Sequence, residues 1–302
     1  MHVTVFARDS VFGYRHSYLP DYVEEKTAGR IRAVEVERFL LREVRGDSMP
    51  RLMRLRGNVC CVVDAETQDD LNHFAEQLRV AARQGKRFLF RSAASLLAAL
   101  AGLPKQPVAA QDMAKYVRGG RPGAVIVGSH VRKTTAQLER LLKMPGVAPI
   151  EVNVEQLSSS RGSLLTEIIR RCEEIHAAGN TSVVFTSRME KTFPDQAARL
   201  AFGDMVSAFL MDVVRNLPKP LGFLISKGGI TSNDVLSSGL ALRTSRVVGQ
   251  ILPGCSVVCC PGDHPRYPDL PVVIFPGNVG DDQALATAYG RLAGYKVEQG
   301  VF

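Results

Sequence analysis

Short apolar runs rich in β-branched residues recur along this chain. Each is closed by a glycine, proline or polar turn and followed by apolar residues at helical spacing. That alternation restricts the fold more than any other property of the sequence. A brief continuous apolar run reads as a strand, and apolar residues three and four apart read as one face of a helix. Strands that alternate with helices pair in parallel, because each helix supplies the crossover. The expected class is α/β, with mostly parallel sheets carrying helices on both faces.

The pattern divides in two. In the first part, residues 59–63 form a strand that ends at Asp64. A helix over 65–84 follows, with Leu71, Phe74, Leu78, Ala81 and Ala82 on one side. Residues 87–90 read as a second strand and 93–103 as a helix. Pro104, Pro107, Gly119, Gly120, Pro122 and Gly123 then punctuate the chain, which sets a domain boundary near 118–122. In the second part, strands are expected at 124–127, 150–154, 182–186, 221–225 and 272–275, and helices at 135–143, 161–179, 194–216 and 281–292. Residues 247–251 and 255–260 flank Pro253-Gly254 and read as a hairpin. The domains are therefore 1–118 and 122–302, in keeping with a length of 302 residues at roughly 150 per domain.

Composition narrows the function classes. The longest apolar stretches, 93–103 and 270–275, fall short of the roughly 20 residues needed to span a bilayer. Arg8 and Asp9 interrupt any signal-peptide core, so a cytoplasmic protein without a membrane partner is expected. The net charge of +8 arises from 38 basic and 30 acidic residues. No basic stripe or arm concentrates the excess, which argues against nucleic acid and suits an anionic small molecule. The cysteines at 60, 61, 172, 255, 259 and 260 lack metal-ligand spacing. Cys60-Cys61 and Cys259-Cys260 read as buried strand residues in a reducing compartment, and no protein metal site is expected.

Two segments share one design of apolar strand, glycine turn and helix start. They are the run through Lys227, Gly228, Gly229, Ile230 and Thr231, and the run through Gly277, Asn278, Val279 and Gly280. Glycine turns expose consecutive N–H groups, and a helix start adds its own unpaired N–H groups and positive dipole end, so together they cradle phosphate. Lys227 could add a cation, and Ser129 follows a third such strand. Purely structural turns account for each loop equally well, with Asp234 and Asp281 as helix caps or as water-mediated Mg²⁺ contacts. Neither loop is a Walker A or a GxGxxG motif. In the first part, Asp64 and Arg91-Ser92 end successive strands. An arginine there could hold a carboxylate in a two-pronged contact or sit in a surface ion pair.

The segments LISKGGITSNDV, VVGQILPGCSVV, LPVVIFPGNVGDDQAL and AVIVGSHVRKTTAQLERLL together resemble the nucleotide-binding domain of the four-carbon acid sugar kinases. DSVFGYRHSYLPDYVEEKTAGRI, VVDAETQDDLNHFA and FLFRSAASLLAAL resemble the later part of that family's substrate domain. The resemblance implies an ATP- and Mg²⁺-dependent kinase that phosphorylates the 4-hydroxyl of threonate, erythronate or 3-oxotetronate. It implies nucleotide contacts at Ser129, Lys227, Gly228, Gly229, Ile230, Thr231, Gly277, Asn278 and Gly280, and substrate contacts at Arg91, Ser92 and Asp64.

The chain departs from that family's pattern in two places. Members open with a strand leading into an Asp-Asp-x-Thr-Gly loop. Here Asp-Asp occurs only at 69–70 and 281–282, never followed by Thr-Gly. The Gly-Ser-x-Ser of the first ATP contact reads Gly128-Ser129-His130-Val131. The first domain is therefore expected to be incomplete, its open sheet edge covered by residues 3–6 or by a second copy of the chain in a homo-oligomer. No catalytic base is identified. A kinase and a non-catalytic nucleotide-binding relic or regulatory module both remain open.

Overall fold

The structure is a computed structural model that describes Ala7 and residues 13–104, 106–129, 131–188 and 192–295. The chain divides into two compact units, Met1–Lys105 and Gln106–Phe302.

The first unit runs α1 (Leu19–Lys26), β1 (Glu37–Phe39), α2 (Leu41–Val44), α3 (Met49–Arg54), β2 (Cys61–Val63), α4 (Gln68–Arg83) and α5 (Ala94–Leu100). Strands β1 and β2 pair in parallel, with Phe39 opposite Val63. Phe74, Leu78 and Ala81 line the buried stripe of α4 and pack on Phe39, Val44 and Leu52. A capping box starts α4. Thr67 Oγ1 accepts the Asp70 N–H at 3.2 Å, and the Asp70 carboxylate accepts the N–H groups of Thr67 and Glu66 at 2.9 and 3.0 Å. Arg45 closes on the same carboxylate at 2.8 Å.

Residues 87–90, expected as a strand, form no ladder. Phe88 alone turns toward the small core, while Leu89 is 100% exposed. A strand needs a hydrogen-bonded neighbour, and among the described residues β2 pairs only with β1. Residues 3–6, the expected cover for a sheet edge, lie outside the described residues, as do Asp9 and Ser10.

The second unit contains β3 (Ala124–Val127), α6 (Arg132–Leu141), β4 (Val147–Val152), α7 (Arg161–Ala177), β5 (Thr181–Thr186), α8 (Gln196–Asn216), β6 (Leu224–Lys227), α9 (Gly229–Asp234), β7 (Arg246–Leu252), β8 (Cys255–Cys259), β9 (Pro271–Phe275) and α10 (Ala284–Ala293). They build one seven-stranded sheet in the order β4-β5-β3-β6-β9-β8-β7. The first five strands are parallel, and the β7–β8 hairpin adds to β9 antiparallel.

Central strands buried on both faces explain the unbroken apolar runs. Val125, Val127, Ile225 and Phe275 face α6 and α10 through Leu138, Leu141, Leu285 and Tyr289. Ala124, Ile126, Leu224 and Val272 share the opposite core with Cys172 of α7 and Phe209 and Val213 of α8. Beyond α8, the Tyr267 hydroxyl donates toward the carbonyls of Val214 and Leu217 at 3.1 and 2.9 Å, at the end of the helix.

Residues 106–118, expected to close the first domain, pack within this second unit. Met113 is fully buried in its core. The Gln106 carboxamide accepts the Gln250 N–H at 2.8 Å and donates to the Gln250 carbonyl at 3.2 Å, so one side chain shields the outer edge of β7. All six cysteines are free thiols, with Cys60, Cys61 and Cys259 half-buried rather than buried. No helix of the described residues is long and apolar enough to cross a membrane.

Asp70 generates a stability prediction. The Arg45 guanidinium and two backbone N–H groups hold its carboxyl well below the usual range. Folding is therefore favoured by the ionised form, fully so above the ordinary aspartate value of about 4, and this contribution is lost as the pH falls through the lower folded value. Asp70→Asn should lower the melting temperature at pH 7, and the gap to the parent should shrink between pH 4 and pH 2. A gap that is independent of pH in thermal scans would contradict the assignment.

Candidate functional site

In an open parallel sheet, ligands bind beyond the carboxyl ends of strands where neighbouring connections leave toward opposite faces. Here β3 continues into α6 on one face, while its neighbour β6 continues into α9 and on to Val235, which is buried in the opposite core. Next to β6, β9 continues into α10 on the α6 face. The carboxyl ends of β3, β6 and β9 are therefore where that rule places a ligand crevice. Gly128-Ser129, Gly228-Gly229 and Pro276-Gly277 all stand at those ends.

The first loop turns at Gly228, whose φ of 123° with ψ of 145° is a backbone state that side chains rarely tolerate. Its N–H donates to Phe275 O at 2.9 Å and its carbonyl accepts the Ser232 N–H at 2.8 Å. Ser232 is tied further by hydrogen bonds with Ser226. Gly128 presses on this turn, since a Cβ there would lie 2.4 Å from Thr231 Oγ1. Gly229 differs, because a Cβ built on it meets nothing within 4 Å. Gly229 and Ile230 face solvent, with Ile230 79% exposed. The N–H groups of Gly229, Ile230 and Thr231 have no protein acceptor among the described residues.

The second loop is anchored through its carbonyls. Lys227 Nζ donates to Pro276 O at 2.7 Å and Gly277 O at 3.2 Å. Lys133 Nζ donates to Asn278 O at 3.2 Å. Gln137 Nε2 donates to Val279 O at 3.0 Å and Asp281 O at 2.7 Å. The N–H groups of Gly277, Asn278, Val279 and Gly280 have no protein acceptor among the described residues. Two runs of unpaired backbone donors thus border one crevice.

Lys227 is fully buried, with its ammonium 4.4 Å from the Phe275 ring centroid. Two of its three donors go to carbonyls of its own chain. Arg188, just beyond β5, is the arginine that sequence reading missed. Its Nε and Nη2 donate to Thr186 O and Thr186 Oγ1, both at 2.8 Å, and Nη1 donates to Ser129 O at 2.7 Å. Two of its five donors remain without a protein acceptor among the described residues. The signal was available, since Ser187-Arg188 follows an apolar strand as Gly128-Ser129 does. Gln137 and Lys133 carried no such signal.

Two acidic assignments change. Asp234 ends α9 rather than capping its start, and its carboxylate accepts from Ser207 on α8 and from Asn233. Asp281 does not cap α10 either, since Gln283 is the N-cap and carries no side-chain cap bond; the Asp281 carboxylate accepts the Gln283 N–H at 3.0 Å in the turn before it. Within the first unit, Asp64 follows β2 directly and donates its N–H to Phe39 O at 3.0 Å. Arg91 Nη2 donates to Tyr22 Oη at 2.7 Å, with the guanidinium 5.3 Å from the same ring's centroid. Ser92 follows it on the surface. No hydrogen bond joins Arg91, Ser92 and Asp64 to one another among the described residues. His130, in the third turn, lies outside them.

A crystal structure from Salmonella typhimurium LT2, described provisionally as a tRNA synthase, superposes with a TM-score of 0.60 at 17% identity, covering 95% of this chain and 66% of that one. A domain of unknown function from Bordetella bronchiseptica, solved with bound citrate as a domain-swapped dimer, aligns over 98% of this chain and 66% of its own at 19% identity and a TM-score of 0.48. The chain thus spans just under two thirds of the length of these solved proteins. The Salmonella likeness supports the α/β fold alone. No curated protein matches the chain. Family models match a sugar-binding N-terminal domain over residues 1–100 and a nucleotide-binding C-terminal domain over residues 124–285. Since the second match alone spans more than half of the chain, the protein belongs to the family built from these two domains, that of the four-carbon acid sugar kinases in the broad sense.

Proposed function

We propose that the second unit binds ATP and that the chain serves a kinase acting on the 4-hydroxyl of a four-carbon acid sugar such as threonate, erythronate or 3-oxotetronate. One observation carries this reading. Two loops of unpaired backbone N–H groups, at 229–231 and 277–280, meet at the switch point of a parallel sheet. Phosphoryl transfer asks a protein mainly for positioning and for neutralisation of charge on the phosphate oxygens. Backbone donors fixed before the ligand arrives supply both with little reorganisation. Arg188 adds a guanidinium whose orientation is set by Thr186 and Ser129.

When bound, Mg²⁺ would supply neutralisation of the phosphate charge. Among the described residues no group of three His, Cys, Asp or Glu side chains forms a metal cage. That suits Mg²⁺, which keeps most of its waters and is held by substrate phosphates with one or two carboxylates. Asp281 follows the second loop directly and would be the carboxylate nearest to hand. In the first unit, Arg91 would take the acid end of the sugar, with Ser92 and Asp64 as hydroxyl partners. Tyr22 already fixes the plane of the guanidinium.

Two substitutions test the reading. Gly229→Val places a side chain where the protein leaves space but a phosphate would sit. It should abolish Mg·ATP binding in calorimetric titration while shifting the melting temperature by only a few degrees. Unchanged affinity would remove this loop from the site. Arg91→Ala should weaken binding of the four-carbon acids by about 10- to 100-fold, the worth of a charge-assisted contact, and leave Mg·ATP affinity alone. Equal losses for both ligands would overturn its role. Mg·ATP binding without phosphoryl transfer to any of the three acids would favour a nucleotide-binding module over an enzyme.

A further inference from the structure

We infer that Lys227 and Gln137 are positioning residues that hold the 276–280 loop with its amides outward, so that the loop's ability to take a polyphosphate depends on the ammonium buried beneath it. The inference rests on the nucleotide reading for its ligand but not for its geometry. A trans peptide is planar, and the carbonyl of one residue and the N–H of the next point in opposite directions. The carbonyls of Pro276, Gly277, Asn278 and Val279 accept from Lys227, Lys133 and Gln137, as does that of Asp281 just beyond. The N–H groups of Gly277, Asn278, Val279 and Gly280 are therefore turned away from those side chains.

The arrangement is costly, which argues that it serves more than packing. Gln137 is fully buried, and while its amide nitrogen meets two carbonyls, its Oε1 has no partner among the described residues. An unmet buried acceptor destabilises a fold. Lys227 is also fully buried, and the titratable groups that face it offer no counter-charge. They are Cys255 on β8, whose thiol burial pushes up to about 12, and Lys133 on α6. Burial pushes the Lys227 ammonium down to about 8. A lysine whose folded value lies below its unfolded one costs stability; the cost is full below about 8 and is relieved as the pH rises from there toward the ordinary lysine value of about 10.4. At pH 7 the chain thus carries a destabilising charge whose visible contacts are the Pro276 and Gly277 carbonyls and the Phe275 ring. Retained strain of this kind is expected at functional sites.

The test uses Lys227→Met, which keeps an unbranched stem on Phe275 and removes the ammonium, with Gln137→Leu as a second variant. Backbone ¹⁵N relaxation of residues 277–280 reads the loop without nucleotide. In the parent the loop should be ordered at pH 7 and loosen by pH 9.5. In Lys227→Met it should be loose at both, with a melting temperature at pH 7 no lower than the parent's. Gln137→Leu should loosen Val279 and Gly280 at both pH values. Mg·ATP affinity at pH 7 should fall at least tenfold in each variant, and the parent should approach Lys227→Met at pH 9.5. Relaxation of 277–280 that is the same in Lys227→Met and the parent at pH 7 would overturn the inference. Loosening as expected in a parent that binds no Mg·ATP would uphold the clamp and overturn the nucleotide reading instead.

Discussion

The site depends on the parallel pairing of β6 with β9, in register with Lys227 opposite Phe275. That register places the chain's two glycine loops side by side, although 43 residues lie between the two paired positions' strands in sequence order from Gly228 to Leu270. The Gly228 N–H on Phe275 O continues the ladder one step past the strands. The Lys227 ammonium then reaches one residue further, to the Pro276 and Gly277 carbonyls. Slipping the pairing by one residue would turn Lys227 to the other face of the sheet. Both loops would then lose their common support.

From this constraint follows a division of labour between backbone and side chain. Side chains at the crevice mostly bind the protein itself. Lys227, Gln137 and Arg188 each donate to backbone carbonyls, and Ser232 bonds to Ser226. Backbone N–H groups are what remain unpaired. Such a surface recognises negative charge and shape rather than a particular functional group, as suits phosphate. It also explains the glycines by position. Gly128 and Gly228 are required by close approach and by backbone conformation respectively, whereas Gly229 leaves open space.

Much of the second unit was legible because central strands buried on both faces leave continuous apolar runs, as at 124–127 and 272–275. The β7–β8 hairpin was legible from Pro253-Gly254. Local signals failed where a neighbour decides the outcome. Residues 87–90 have strand-like composition but no ladder partner, and 106–118 read as the end of the first domain but carry Met113 into the core of the second unit. The glycine loops could be found from the sequence, since a turn needs particular residues. What Lys227 does could not, because its acceptors lie about 50 residues away and a lysine beside a glycine pair looks like a phosphate ligand. Gln137 was silent for the same reason, and the placement of Arg91 against Tyr22 spans 69 residues.

The central claim is that the N–H groups of both loops hold one polyphosphate. Amide-resolved hydrogen exchange, with and without saturating Mg·ATP, reads those groups individually. The account predicts slowed exchange at residues 229–231 and at 277–280 together, with the same dependence on nucleotide concentration. Slowed exchange at only one loop, or nucleotide-dependent protection elsewhere with both loops unchanged, would contradict it.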